Sequence, residues 1–289
     1  MKIIHTLTLV LLLHFAWAQS PGRVIKGTTI DNATGTPLPY TSIGIPHKSI
    51  GTVSDSSGQF TLTLPPDHPL TDSIVFSHVG YESQAKRIDG LLRQVSAIRL
   101  QPSTNSLSEV VVKPKITKSK IVGRNGKGLS TFHYNFYTAS EKSVDDRLSK
   151  EAGMLFELKD ECRINELNFY ISGNEFRSLK FRVLFYHVKD GLPTTPMFDR
   201  DIIFEIKDGY RGWFKVDLKP YQLWVPGEKE PFAVTIQWLE SVKQQANSKY
   251  FSITTAKSAF KTFAGRSKAM DSWSTDKQAL SFYLQCQCL

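Results

Sequence analysis

The chain has 289 residues, of which 40% are hydrophobic, 11% aromatic and 22% charged, enough apolar material for packed cores and too much for an intrinsically disordered protein. Its formal net charge is +9, which favours acidic partners such as lipid headgroups, anionic glycans or nucleic acid, or else reflects a basic surface with no specific target. No segment approaches the roughly 20 consecutive apolar residues of a spanning helix, so no transmembrane segment is expected in the mature chain.

In chain order the first element is an export signal. Lys2 supplies a positive start, residues 7–15 a short apolar run interrupted by Thr8 and His14, and Ala16, Trp17 and Ala18 an A-x-A cleavage site ahead of Gln19. Residues 1–18 are therefore expected to be a signal peptide. The mature chain is expected in the periplasm, or associated with the outer membrane or cell surface. No cysteine stands at the cleavage site, so a lipoprotein anchor is not expected.

Residues 22–112 alternate with period two. Strands are expected at 23–30, 40–45, 51–53, 60–64, 74–77, 95–100 and 110–112, separated by turn residues. Asp55, Ser56, Ser57 and Gly58 read as a tight turn, and Pro65 and Pro66 end the strand before them because neither can donate to a ladder. Roughly seven short strands at this spacing predict a β-sandwich. Residues 113–130 break the pattern with Lys113, Lys115, Lys118, Lys120, Arg124 and Lys127, no acidic residue, and Gly123, Gly126 and Gly128. That composition predicts a basic linker, with a grip on a polyanion as the other possibility. A short helix is expected over 143–154 from the loose periodicity of Val144, Leu148 and Met154.

Residues 131–289 return to alternation, with strands expected at 167–171, 181–186, 202–206, 213–218, 232–238, 251–255 and 280–288. In the last of these Leu280, Phe282, Leu284, Cys286 and Cys288 point one way, and Ser281, Tyr283, Gln285 and Gln287 the other. One apolar and one polar face belong to an antiparallel sheet with one wet side, so this region predicts a jelly-roll-like antiparallel β-sandwich. No helices separate the strands, which argues against parallel βαβ units.

The first region also resembles a known family. Ile25-Lys26-Gly27, the run from Thr34 to Pro39, the run from Gly51 to Phe60 and the run from Val75 to Tyr81 occur in the order of the carboxypeptidase-regulatory-like (transthyretin-like) domain. Leu107 to Val112 resembles that family's exit strand. The resemblance implies a seven-stranded transthyretin/Ig-like sandwich over residues 22–112, found at the front of outer-membrane receptors and surface proteins of two-membrane bacteria and without a peptidase centre of its own. Only about 175 residues follow, too few for the 22-stranded barrel of the receptor relatives.

Chemistry is sparse. None of the 7 histidines sits in a His-x-x-Glu pair; His78 with Glu82 and His187 with Asp190 read as ordinary strand or turn residues. The Gly-x-Ser-x-Gly elbow of serine hydrolases is absent, and the run from Gly123 to Gly128 has neither the spacing nor the Ser/Thr of a phosphate loop. No catalytic residue, metal site or cofactor is predicted. Tyr210, Tyr221, Trp213, Trp224, Trp238 and Trp273 are dense enough for a sugar-stacking platform. Trp238 shares phase with Phe232, Val234 and Ile236 and is assigned to the core; Trp213, Trp224 and Tyr221, near turns, are the candidate ligand-binding residues. Cys162, Cys286 and Cys288 allow one disulfide, from Cys162 to either of the others, or three buried thiols, the reading favoured here. These features lead to a non-enzymatic envelope module recognising a glycan, peptide or envelope protein, with no specific nucleic-acid partner. The alternative is a glycan- or peptide-acting hydrolase sited in the second sandwich.

Overall fold

The computed structural model describes residues 22–93, 96–103, 118–127, 132–137, 144–227 and 231–289. The expected signal peptide and the expected strand at 110–112 lie outside them.

The first domain contains β1 (Arg23–Asp31), β2 (Ser42–Gly44), β3 (Gly51–Val53), β4 (Gln59–Leu64), β5 (Ser73–Ser77), β6 (Gln84–Arg87), a short helix α1 (Ile88–Arg93) and β7 (Ser96–Leu100). Two sheets, in the orders β4-β1-β7 and β3-β2-β5-β6, face one another. Alternation does what it predicts in β4, where Phe60, Leu62 and Leu64 are buried and the residues between them exposed. Phe60 meets Phe76 edge-on at 5.5 Å across the sandwich. The turn before β4 is held by Asp55, whose Oδ1 accepts from the Ser57 amide at 2.8 Å and the Gln59 amide at 2.9 Å. Gly58 has φ +76°, and a Cβ there would stand 2.7 Å from the Thr29 carbonyl. Strand β6 was not anticipated, because its polar, largely exposed sequence carries no alternation.

The second domain begins with β8 (Lys118–Gly123), β9 (His133–Asn135), β10 (Glu151–Phe156), β11 (Cys162–Asn174), β12 (Phe176–Lys189), β13 (Leu192–Pro196), β14 (Ile202–Lys207) and β15 (Gly212–Asp217). It continues with β16 (Leu223–Val225), β17 (Phe232–Lys243), β18 (Phe251–Lys257), β19 (Phe263–Arg266), β20 (Ser274–Asp276), β21 (Gln278–Leu280) and β22 (Phe282–Cys288). A 7-stranded sheet runs β13-β12-β17-β10-β19-β20, with β14 on β12. An 8-stranded sheet runs β21-β18-β11-β22-β8, with β15 and β16 on β11 and β9 on β18. Between them lies an aromatic core in which fully buried Trp238 touches the rings of Phe136, Phe176, Phe181 and Phe251. The fold is all-β, as the alternation predicts.

Three expectations are corrected. The helix expected at 143–154 is a single 3-10 turn (Val144–Arg147) followed by strand β10, which lies between β17 and β19. Both faces of β10 are covered, so it carries buried Glu151 and Gly153 in place of an alternating pattern, and a Cβ on Gly153 would be 1.9 Å from the Val234 carbonyl. The segment read as a linker over 113–130 contributes Lys118–Gly123 to the second domain as β8, paired with β22. Lys118 and Lys120 lie in register with Cys288 and Cys286, and exposed Ile121 stands on the other phase, so this edge strand lacks an apolar-in, polar-out alternation and in sequence looks like a solvated tether. Finally, Cys162 and Cys288 are direct cross-strand partners on β11 and β22 and form a disulfide, leaving Cys286 as a buried free thiol. Burial pushes the Cys286 thiol up to about 12, so it stays protonated and inert.

The first domain docks on the outer face of the sheet containing β10. Tyr40 and Val53 pack against Leu239, Arg182 Nη1 donates to the Tyr40 carbonyl at 2.9 Å, and the Tyr40 hydroxyl donates to Glu240 at 2.8 Å. Gly44 and Gly51 let the backbone of Ala269 approach; a Cβ on Gly44 would be 2.1 Å from its carbonyl. The sheet closed by the disulfide therefore turns its own outer face away from this contact.

Candidate functional site

Along β11 the residues Leu167, Phe169 and Ile171 point into the core, so Glu166, Asn168 and Tyr170 point outward. Register brings polar and aromatic partners to them from both sides. Trp213 on β15 lies opposite Tyr170, Lys215 and Tyr283 lie opposite Asn168, and Asp217 and Gln285 lie opposite Glu166. Farther along, Trp224 and Gln287 flank Arg163.

One end of this strip is an aromatic trio. Half-buried Trp213 meets Tyr170 at 5.5 Å and Tyr283 at 5.1 Å, with interplanar angles of 74° and 68°. Edge-to-face contact of this kind fixes each ring against the others. Among the described residues the indole N–H of Trp213 and the hydroxyls of Tyr170 and Tyr283 have no protein partner, so their polar tips face solvent. Burial first, and then the nearby Glu166 carboxylate, push the Tyr283 phenol above its usual value, keeping it a neutral donor. Beside the trio Glu166 is held by Lys215 at 3.8 Å and by the Asn168 amide at 3.5 Å.

At the other end Arg163 is anchored by Asn165 at 3.1 Å, Gln222 at 3.3 Å and Gln287 at 2.5 Å. From Arg163 to Tyr170 the strand covers roughly 20 Å at about 3.3 Å per residue. The three candidate residues from the sequence thus part company. Trp213 sits in the trio, Trp224 lies across from Arg163, and Tyr221, which ends a 3-10 turn (Lys219–Tyr221), packs partly buried against the core. Trp273 lies against Tyr186 at 5.3 Å on the other sheet. Tyr170, Tyr283, Asn168 and Glu166 were missed. The polar phase of the last strand exposes Tyr283 in the sequence, but only register shows that it meets Trp213.

A cleft of about 900 Å³ lies between the domains and is lined by His78, Tyr81, Arg182, Tyr186, Met197 and Trp224 among others. Two of its arginines are committed to carboxylates. Arg182 reaches Asp201 through two bonds of 2.5 and 2.9 Å, and Arg266 pairs with fully buried Glu151. Glu151 also accepts from the Tyr186 hydroxyl at 2.9 Å and from Gln237 at 3.2 Å. This network braces the interface. His78 and His187 both line the cleft, and among the described residues no group of His, Cys, Asp and Glu side chains is placed to hold a metal ion.

Residues 25–112 match the family model of the CarboxypepD_reg-like domain, in agreement with the resemblance read from the motifs. No curated protein matches the chain. Among solved structures the chain is similar to the cysteine protease and lectin-like domains of a surface layer associated protein of Clostridium difficile, at 11% identity and a TM-score of 0.36. That alignment covers 93% of this chain and 59% of the other.

Proposed function

We propose that the chain, carrying a CarboxypepD_reg-like domain at its front, is an exported non-enzymatic envelope module that binds a glycan on the outer face of the disulfide-closed sheet. The observation that supports this reading is the trio of Trp213, Tyr170 and Tyr283, rigidly packed yet with polar tips unpartnered among the described residues. A sugar ring offers an apolar C–H face and a rim of hydroxyls; an aromatic face bordered by Asn168, Glu166 and Lys215 is complementary to both. The first domain acts as a rigid mount that keeps this face outward.

The test is a glycan array probed with the mature chain and with Trp213→Ala and Tyr283→Phe. Binding that falls more than about tenfold in Trp213→Ala, the scale of one lost stacking platform, supports the reading. Undiminished binding by that variant, or no binding to any glycan, overturns it.

The hydrolase reading has one observation in its favour, the cross-strand placement of Glu166 and Asp217. Asp217, however, is exposed and accepts from the Lys219 amide at 3.1 Å. Release of reducing ends that disappears in Glu166→Gln would establish that reading in place of simple binding.

A further inference from the structure

A different corner of the second domain carries an exposed aromatic in a cationic setting. The loop after β18 presents Phe260, which is 92% exposed. It is not a loose tail: the amides of Phe260 and Lys261 both donate to the Ser258 hydroxyl, at 3.3 and 2.9 Å. The Ser258 amide in turn donates to the Lys277 carbonyl at 3.2 Å. Phe132, 59% exposed, is tied to the same corner by the Thr255 amide, which donates to its carbonyl at 2.9 Å. The segment from Arg124 to Lys127 joins through Arg124 to the Ala279 carbonyl at 3.1 Å and through Ser281 to the Gly126 carbonyl at 2.8 Å.

These hydrogen-bonded segments carry Lys127, Lys257, Lys261, Lys277 and Arg124 on the same corner as the two exposed phenylalanines, and Asp276 is the sole acidic residue on them. Among the described residues none of the four lysines makes an ion pair. Lys277 donates at 3.3 Å to Thr262, within the loop itself. The interdomain cleft does not reach this corner. A protein partner wants a broad complementary patch, whereas exposed aromatic rings on a corner rich in lysine have the chemistry of a bilayer interface: the rings enter the headgroup–acyl boundary and the cations meet lipid phosphates.

We propose that the loop bearing Phe260, together with Phe132 and the lysines of the same corner, is a docking tip for an anionic phospholipid surface. It rests on residues separate from the glycan face, and each can fail without the other.

The experiment is co-sedimentation of the mature chain with vesicles of phosphatidylcholine alone and of equal parts phosphatidylcholine and phosphatidylglycerol. Binding is expected to the anionic vesicles, weakening with added salt. Phe260→Ser, at a solvent-exposed position whose loss cannot unfold the core, is expected to reduce partitioning by about tenfold. Each of Lys257→Gln and Lys277→Gln is expected to reduce it roughly fivefold. Trp213→Ala is expected to leave it unchanged. Failure to bind anionic vesicles, equal binding to both vesicle types, or full binding by Phe260→Ser overturns the proposal.

Discussion

His78 has both ring nitrogens against carbonyl oxygens, Nδ1 at 2.8 Å from Val79 and Nε2 at 3.1 Å from Pro39. A neutral imidazole has one N–H and can satisfy only one of these acceptors. Burial, and next the Arg182 guanidinium, nevertheless pull its pKa below 6.5, with Asp201 at 3.9 Å offsetting part of the effect. The unfolded chain therefore binds this proton more readily than the folded one, so His78 weakens the fold as pH falls below about 6.5 and has no such effect above it. The expected outcome is a urea midpoint that drops between about pH 7 and about pH 5 in the parent chain, with a shallower drop in His78→Gln. Equal slopes would place the acid sensitivity elsewhere. The sequence reads His78 as an ordinary strand or turn residue; that it lies at the seam between domains depends on Arg182, far along the chain, and could not be read.

Among the elements, β10 and the β11–β22 pair are the most informative. Strand β10 escaped the sequence reading because its neighbours cover both faces and its close fit to β17 requires a glycine. Gly153→Ala is accordingly expected to be severely destabilising, by more than about 3 kcal/mol, since the obstructing atom is backbone and cannot swing aside; a loss of soluble expression or a collapsed thermal midpoint would register it. The final strand was legible from Phe282 to Cys288, its inward and outward residues falling as alternation predicts, whereas Ser281, read as outward in one continuous strand, is fully buried at a break between β21 and β22. The strand's pairing partner was not legible, because register between strands so distant leaves no local trace. That gap hid both the disulfide and the trio around Trp213. Closing a separation of 126 residues, the Cys162–Cys288 bond is expected to contribute about 3–5 kcal/mol in the chain-entropy picture. A reductant, or Cys288→Ser, should lower the denaturation midpoint accordingly, and Cys286→Ala should not affect the cross-link seen by mass spectrometry of unreduced protein.

At the scale of the whole molecule the two sandwiches are mortised together. Besides the Tyr40 and Arg182 contacts, Gln237 donates to Ser42 at 3.1 Å, His47 donates to the Met270 carbonyl at 2.9 Å, and Ser49 donates to Asp271 at 2.6 Å. None of this was visible in the sequence, where Ser42, Gly44 and Gly51 look like ordinary strand and turn residues. Their small size is what admits the partner backbone. Calorimetry is expected to show a single unfolding transition for the parent chain. Gly44→Val, which drives a side chain into the Ala269 carbonyl, is expected to split it in two; an unsplit transition in that variant would mean that the domains are not coupled through this seam.

The bond between Cys162 and Cys288 also makes everything from β11 to the end of the chain one covalent ring. A protease that clips the ring once, for instance in the surface loop around Phe260, severs the backbone without releasing a piece. Fragments that stay together on an unreduced gel and separate with thiol would be the outward sign, and a bound molecule would remain in place after the first cut.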